Sequence, residues 1–182
     1  MTVAEFLGWD PGDRLRYELV DGQPRAMAPP AAVHGFLQAE LGRLIGNHLR
    51  ATRPGCIVLA NPGDRPLLMS DHNVRIPDLG VTCAPITPGQ IIVAEPLLLA
   101  EILSPNNQPE TWSNVWAYTT IPSVRELLVL HTSRVAAEVL RRGPDEAWPQ
   151  RFEPAEDGVL RLESIGLTLP LADLYAPAGL VS

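Results

Sequence analysis

The sequence predicts an α/β (α+β) fold, a mixed central β-sheet flanked by helices, and three observations carry that reading. From Ala31 to about Thr52 the apolar spacing is helical, with Leu37, Leu41, Leu44, Ile45, His48 and Leu49 on one stripe. Leu97 to Leu103 is almost unbroken apolar sequence, the pattern of a strand covered on both faces. Short β-like segments bounded by Gly, Pro, Asn and Asp lie on either side of it. A hairpin, a long helix, three strands, a buried strand, a helix and a strand pair make a layered sheet-and-helix core.

Taken in order, residues 2–9 read as a short amphipathic helix around Val3, Phe6 and Leu7. Arg14 to Val20 alternates with period two, and Asp21-Gly22 supplies a hairpin turn before a second strand ending at Met27. Pro29-Pro30 stops that strand, and Pro54-Gly55 stops the long helix. Strands are expected over 56–60, 66–70 and 74–83, then the buried strand at 97–103. Pro109 to Thr119 reads as a helix with Trp112, Val115, Trp116 and Thr119 turned inward. Arg125–His131 and Arg134–Arg141 form a strand pair, and 148–175 adds two short strands and a last helical turn at Leu171–Tyr175.

Bulk properties narrow the function. With 182 residues, 46% hydrophobic and 19% charged, the chain is expected to form one globular domain over 1–182. No apolar run reaches the roughly 18 residues that span a bilayer, and the N-terminus shows no secretory pattern, so a cytoplasmic protein is expected. Cys56 and Cys83 read as reduced core residues. A formal charge of −7 argues against binding nucleic acid by bulk electrostatics but allows a local groove. All 14 basic residues are arginines; the chain has no lysine.

Two carboxylates sit where ionised groups are costly. Asp78 follows Pro77 in an apolar strand, and Glu101 interrupts Leu97-Leu98-Leu99-Ala100-Glu101-Ile102-Leu103. Two acids from adjacent strands converging at one place suit a hard divalent cation with oxygen ligands. The alternative is that Asp78 caps a turn and Glu101 meets an arginine.

The order of motifs adds a resemblance. Arg16-Tyr17-Glu18-Leu19-Val20-Asp21-Gly22, Met27 with Pro29-Pro30, His34, Ile76-Pro77-Asp78, Glu101-Ile102-Leu103-Ser104-Pro105, Tyr118 and Ile121-Pro122-Ser123-Val124 resemble the Uma-type family. That family groups bacterial candidate restriction endonucleases and is similar to the PD-(D/E)XK nucleases. The resemblance implies a restriction-endonuclease-like fold and Mg²⁺-dependent hydrolysis of DNA, with Mn²⁺ as a substitute. It implies Asp78 and Glu101 as metal ligands with the Ile102 carbonyl, Glu18 as a further ligand or supporting acid, and His34 near the same cleft. Two active sites for a duplex would suit a homodimer.

Departures from the pattern matter equally. The superfamily's lysine, two residues after the glutamate, is Leu103 here. The family's alternative lysine position, on the following helix, best matches Asn114, with Glu110 at the aspartate before it. An amide can hydrogen-bond a water but carries no charge. Two readings therefore stand: a metal-dependent endonuclease weakened by the missing lysine, or a nuclease-fold module that binds nucleic acid or protein without turnover. Other signals read as structural: Trp112 and Trp116 as core or interface anchors, Arg43, Arg50 and Arg53 as a solvated helix face, Glu126 and Glu138 as strand-pair charges.

Overall fold

The computed structural model describes residues 1–180; Val181 and Ser182, the end of the expected domain, lie outside the described residues. Among those residues the central sheet has six strands. They are β3 (Ile57–Ala60), β4 (Leu79–Thr82), β5 (Pro96–Leu103), β6 (Glu126–His131), β7 (Ala137–Arg141) and β8 (Glu153–Pro154), in that spatial order. Every neighbouring pair is antiparallel except β5 and β6, which run parallel. That single parallel step needs a crossover, and α3 (Gln108–Tyr118) supplies it. The sheet is therefore mixed.

A hairpin of β1 (Tyr17–Val20) and β2 (Gln23–Ala26) precedes the sheet, and β9 (Val159–Leu162) pairs with β10 (Leu167–Pro170) after it. Asp21 and Gly22 both take positive φ, 49° and 79°, the geometry a two-residue hairpin turn requires. Short helices α1 (Val3–Leu7) and α4 (Leu171–Tyr175) stand near the two ends, and α2 (Ala32–Thr52) is the long one.

The period-two pleat divides the core. Leu98, Ala100 and Ile102 of β5 join Leu128 and Leu130 of β6 under the α2 residues Leu37, Leu41 and Ile45. Leu99 and Leu103 point the other way, with Leu127 and Val129, against Val115 and Tyr118 of α3. Helices thus flank both faces, and β5 is buried on each, which is why its sequence is apolar without alternation. Glu101, between Ala100 and Ile102, falls on the α3 face.

Several expectations are corrected. Residues 66–70 form no strand: Leu67, Leu68 and Met69 are 58, 57 and 53% exposed. Side chains hold that backbone instead. The Thr120 hydroxyl oxygen accepts from Leu67 N, Asn73 Nδ2 donates to the Leu68 carbonyl, and Arg65 Nε donates to the Ser70 carbonyl. The strand expected over 74–83 is broken by Pro77; Val74 and Arg75 make only single bridges, to Leu19 and Asp64. Cys56 and Cys83 are not free core thiols but a disulfide, with Cα atoms 4.0 Å apart. The register explains it: Ile57 faces Thr82, so the residues just beyond that pair face each other as well. On α3 the inward residues are Thr111, Asn114, Val115 and Tyr118, while Trp116 is 44% exposed and lies edge-on to Phe152. The tail holds three short strands rather than two, because β8 adds to the sheet edge.

Candidate active site

Asp78 immediately precedes β4, and the register that pairs Leu79 with Ala100 sets it beside Glu101 on the neighbouring strand. Both oxygens of Asp78 are engaged. Oδ2 accepts the Ile102 backbone N–H at 2.7 Å, and Oδ1 lies 2.8 Å from His34 Nε2. The other imidazole nitrogen, Nδ1, is 3.3 Å from Ser104 Oγ, so the ring is fixed from both sides. His34 reaches this point from the first turn of α2. One turn on, Gln38 Nε2 donates to the Asp78 backbone carbonyl at 2.8 Å. A groove of about 350 Å³, lined by Gly35, Gln38, Ala39, Asn61 and Leu79, opens beside this edge.

Glu101 accepts the Tyr118 hydroxyl at 2.8 Å. Burial pushes its carboxyl well above the ordinary range, the Asp78 charge pushes it further, and Glu18 adds to both. Tyr118 is itself held far above the usual phenol range by burial and the Glu101 charge, so it stays a hydrogen-bond donor. Glu18 arrives from β1 and is also raised by burial, against the opposing pull of Arg75 and of Arg25, its partner across the hairpin. Asn114 of α3 links the groups: its Nδ2 donates to Glu18 Oε2 at 3.4 Å, and its Oδ1 accepts Arg75 Nη1 at 2.8 Å.

The six residues singled out by sequence, Glu18, His34, Asp78, Glu101, Ile102 and Asn114, therefore fall in one cluster, and all six are at most 9% exposed. Leu103, at the position where lysine was expected, is buried in the apolar layer beneath α3. Three participants were missed. Tyr118 had only a motif as its signal, and neither Arg75 nor Asp64 carried a signal of its own.

Among the described residues no three His, Cys, Asp or Glu side chains form a ready-made metal cage. The donors do fit an ion that keeps much of its water. Asp78 and Glu101 are hard oxygen ligands, and their mutual repulsion, with Glu18 nearby, is what a divalent cation relieves. Mg²⁺ commonly takes one or two carboxylates and fills its shell with water and phosphate oxygens.

A crystal structure from Anabaena variabilis, titled as a "putative nuclease" of the DUF820 group, superposes with a TM-score of 0.77 over 97% of this chain and 98% of its own, at 19% identity. The fold is thus one found in a nuclease-like group: a mixed six-stranded sheet between helices. More specifically, residues 3–172 match the Uma2 family, described as "Putative restriction endonuclease", and the chain belongs to that family. A relative from Synechocystis sp., the uncharacterized protein slr1290, is 27% identical over 177 residues, covering 96% of this chain and 91% of its own. No helix among the described residues is long and apolar enough to cross a membrane.

Proposed function

We propose that this chain is a Mg²⁺-dependent endonuclease that hydrolyses DNA phosphodiester bonds, with Mn²⁺ able to substitute. One observation carries the reading: Asp78 and Glu101 are buried side by side, at the start of β4 and on β5, with no cation paired to Glu101 among the described residues, and Glu18 adds a third acid. A group of buried acids only partly compensated by Arg75 and Arg25 is destabilising, and a site for a divalent ion gives it a use. Asp78 and Glu101 would hold the ion with the Ile102 carbonyl, and Glu18 would serve as a further ligand or support. When bound, such an ion supplies Lewis acidity and counter-charge at the phosphate.

The rest falls to the chain's own groups. His34 holds Asp78 in its orientation and, through Nδ1 and Ser104, offers a position for a proton near the cleft edge. Tyr118 fixes the Glu101 carboxyl. Asn114 orients its neighbours but cannot cycle a proton. Removing one preorganised electrostatic stabiliser typically lowers rate about 100- to 1,000-fold, so a lysine-free site of this kind turns over slowly. That same feature, Leu103 and Asn114 where lysines are expected, favours a second reading: a nuclease-fold module that binds nucleic acid without cleaving it.

Supercoiled plasmid incubated with Mg²⁺ or Mn²⁺ separates them. Cleavage by the parent that disappears in both Asp78→Asn and Glu101→Ala supports the first reading. A silent parent with cleavage gained in Asn114→Lys assigns the second. Cleavage surviving both acid substitutions refutes the site.

A further inference from the structure

Among the described residues Arg75 is the one arginine that the fold buries; it is 3% exposed. A buried guanidinium normally lies against a carboxylate, because losing its hydration without a counter-charge costs several kcal/mol. Arg75 makes no ion pair among the described residues. Its one hydrogen bond goes to a neutral acceptor, the Asn114 side-chain oxygen. Its Nε is shut off from solvent and has no acceptor.

A carboxylate stands close by on the backbone. Asp64 lies opposite Arg75 across an antiparallel bridge with two backbone hydrogen bonds of 2.8 Å, which puts both side chains on one face. Yet among the described residues neither Asp64 oxygen has a hydrogen-bond partner, and the arginine runs past its neighbour toward Asn114. Burial pushes the Asp64 carboxyl up to about 8, so at neutral pH it is mainly protonated and does little to offset the guanidinium charge.

We infer that Arg75 is the anion-binding element of the site, and that the terminal edge of its guanidinium, at Nη2 and not the enclosed Nε, takes a non-bridging oxygen of a DNA phosphate. The inference rests on the DNA reading above and names the residue that draws the phosphate in. Three acids repel a phosphodiester, and a chain without lysine has to offset them with arginine or a bound ion. The planar fork of a guanidinium matches phosphate oxygens and never loses its charge. Asn114 keeps that fork in place while its other end meets Glu18. Arg75 therefore supplies charge where the lysine position supplies none, but no proton.

The test is equilibrium binding of the full chain to a fluorescein-labelled DNA duplex over a salt series, with Ca²⁺ in place of Mg²⁺ to hold off turnover. Arg75→Gln is expected to bind about ten-fold or more weakly, the scale of one hydrogen bond to a charged group. The slope of log affinity against log salt should fall by about one unit, the signature of one lost phosphate contact. Arg75→Lys should keep the parent slope, because it keeps the charge. Should Arg75→Gln unfold, Asn114→Asp reads the same contact, since the new carboxylate pairs with the guanidinium and lowers the slope equally. A parent-like slope in the folded neutral variant overturns the assignment and leaves the nuclease reading intact. A parent that binds no DNA at low salt overturns both.

Discussion

Glu101 and Glu126 are buried glutamates on neighbouring parallel strands, 7% and 1% exposed, and they live in opposite surroundings. Glu126 points to the face under α2 and takes four donors. Arg141 Nε reaches it at 2.8 Å, the backbone N–H groups of Glu163 and Ser164 at 3.1 and 3.0 Å, and the Ser164 hydroxyl at 2.6 Å. Glu101 points to the α3 face, takes one hydroxyl, and has other carboxylates for company. A saturated buried acid ties the tail of the chain to the sheet. An acid left with open acceptor capacity beside its own kind is the one that the proposed reading gives to a divalent ion.

Substitution should pull the two apart. Glu126→Gln leaves Arg141 with a weaker partner and one donor facing an amide N–H, so stability should drop by about 3 kcal/mol. Cleavage per folded molecule should not change. Glu101→Gln should show the reverse: a melting midpoint in EDTA at or above the parent's, because a repelled carboxyl has become neutral, and cleavage reduced at least about 100-fold. Mg²⁺ should raise the parent's midpoint and not that of Glu101→Gln, since only a site that binds the ion gains stability from it. Equal loss of stability in the two variants would remove the distinction.

A loss of stability that touches neither glutamate is the control. The Cys56–Cys83 bond closes a separation of 27 residues, and opening it should cost about 3.5 kcal/mol through the freedom regained by the unfolded chain. Urea unfolding with and without dithiothreitol measures this, and an unchanged midpoint would show that the pairing contributes nothing. Cleavage by molecules still folded should match the oxidised protein.

Which features were legible follows a physical line. Acids inside apolar runs announce themselves locally, so Asp78 and Glu101 could be picked out from a few residues on either side. The long helix and β5 were equally local, each set by its own periodicity. Glu126 was not, because the groups that bury it come from Glu163 and Ser164, reachable only once β9 has been placed. The disulfide depends on the register between β3 and β4, and register is a property of two strands together. Leu67-Leu68-Met69 reads as a strand, but Arg65, Asn73 and Thr120 engage its backbone first. Arg75 gave no local signal, because the bridge to Asp64 and the hydrogen bond to Asn114 that place it come from distant segments.

Among the described residues Asp64 completes the comparison as a buried acid with neither donors nor ion-pair partners, and its effect is the most gradual, spread over several pH units. It is fully buried, both oxygens lack hydrogen-bond partners, and burial raises its carboxyl from 3.8 to about 8. Below about pH 4 both the folded and the unfolded chain hold this proton, and the group is neutral to stability. Between there and about 8 the unfolded chain ionises while the native state keeps its proton, so stability falls as pH rises. The slope from one proton is at most about 1.4 kcal/mol per pH unit. Above the folded value both states are ionised and the loss levels off. Asp64→Asn cannot ionise, so urea unfolding should show a flatter profile across this window and an advantage over the parent that grows toward the alkaline end. Parallel profiles would mean that Asp64 ionises in the native protein as it does in the unfolded chain. It would then carry a negative charge opposite Arg75, and the guanidinium would have the partner that the present arrangement denies it.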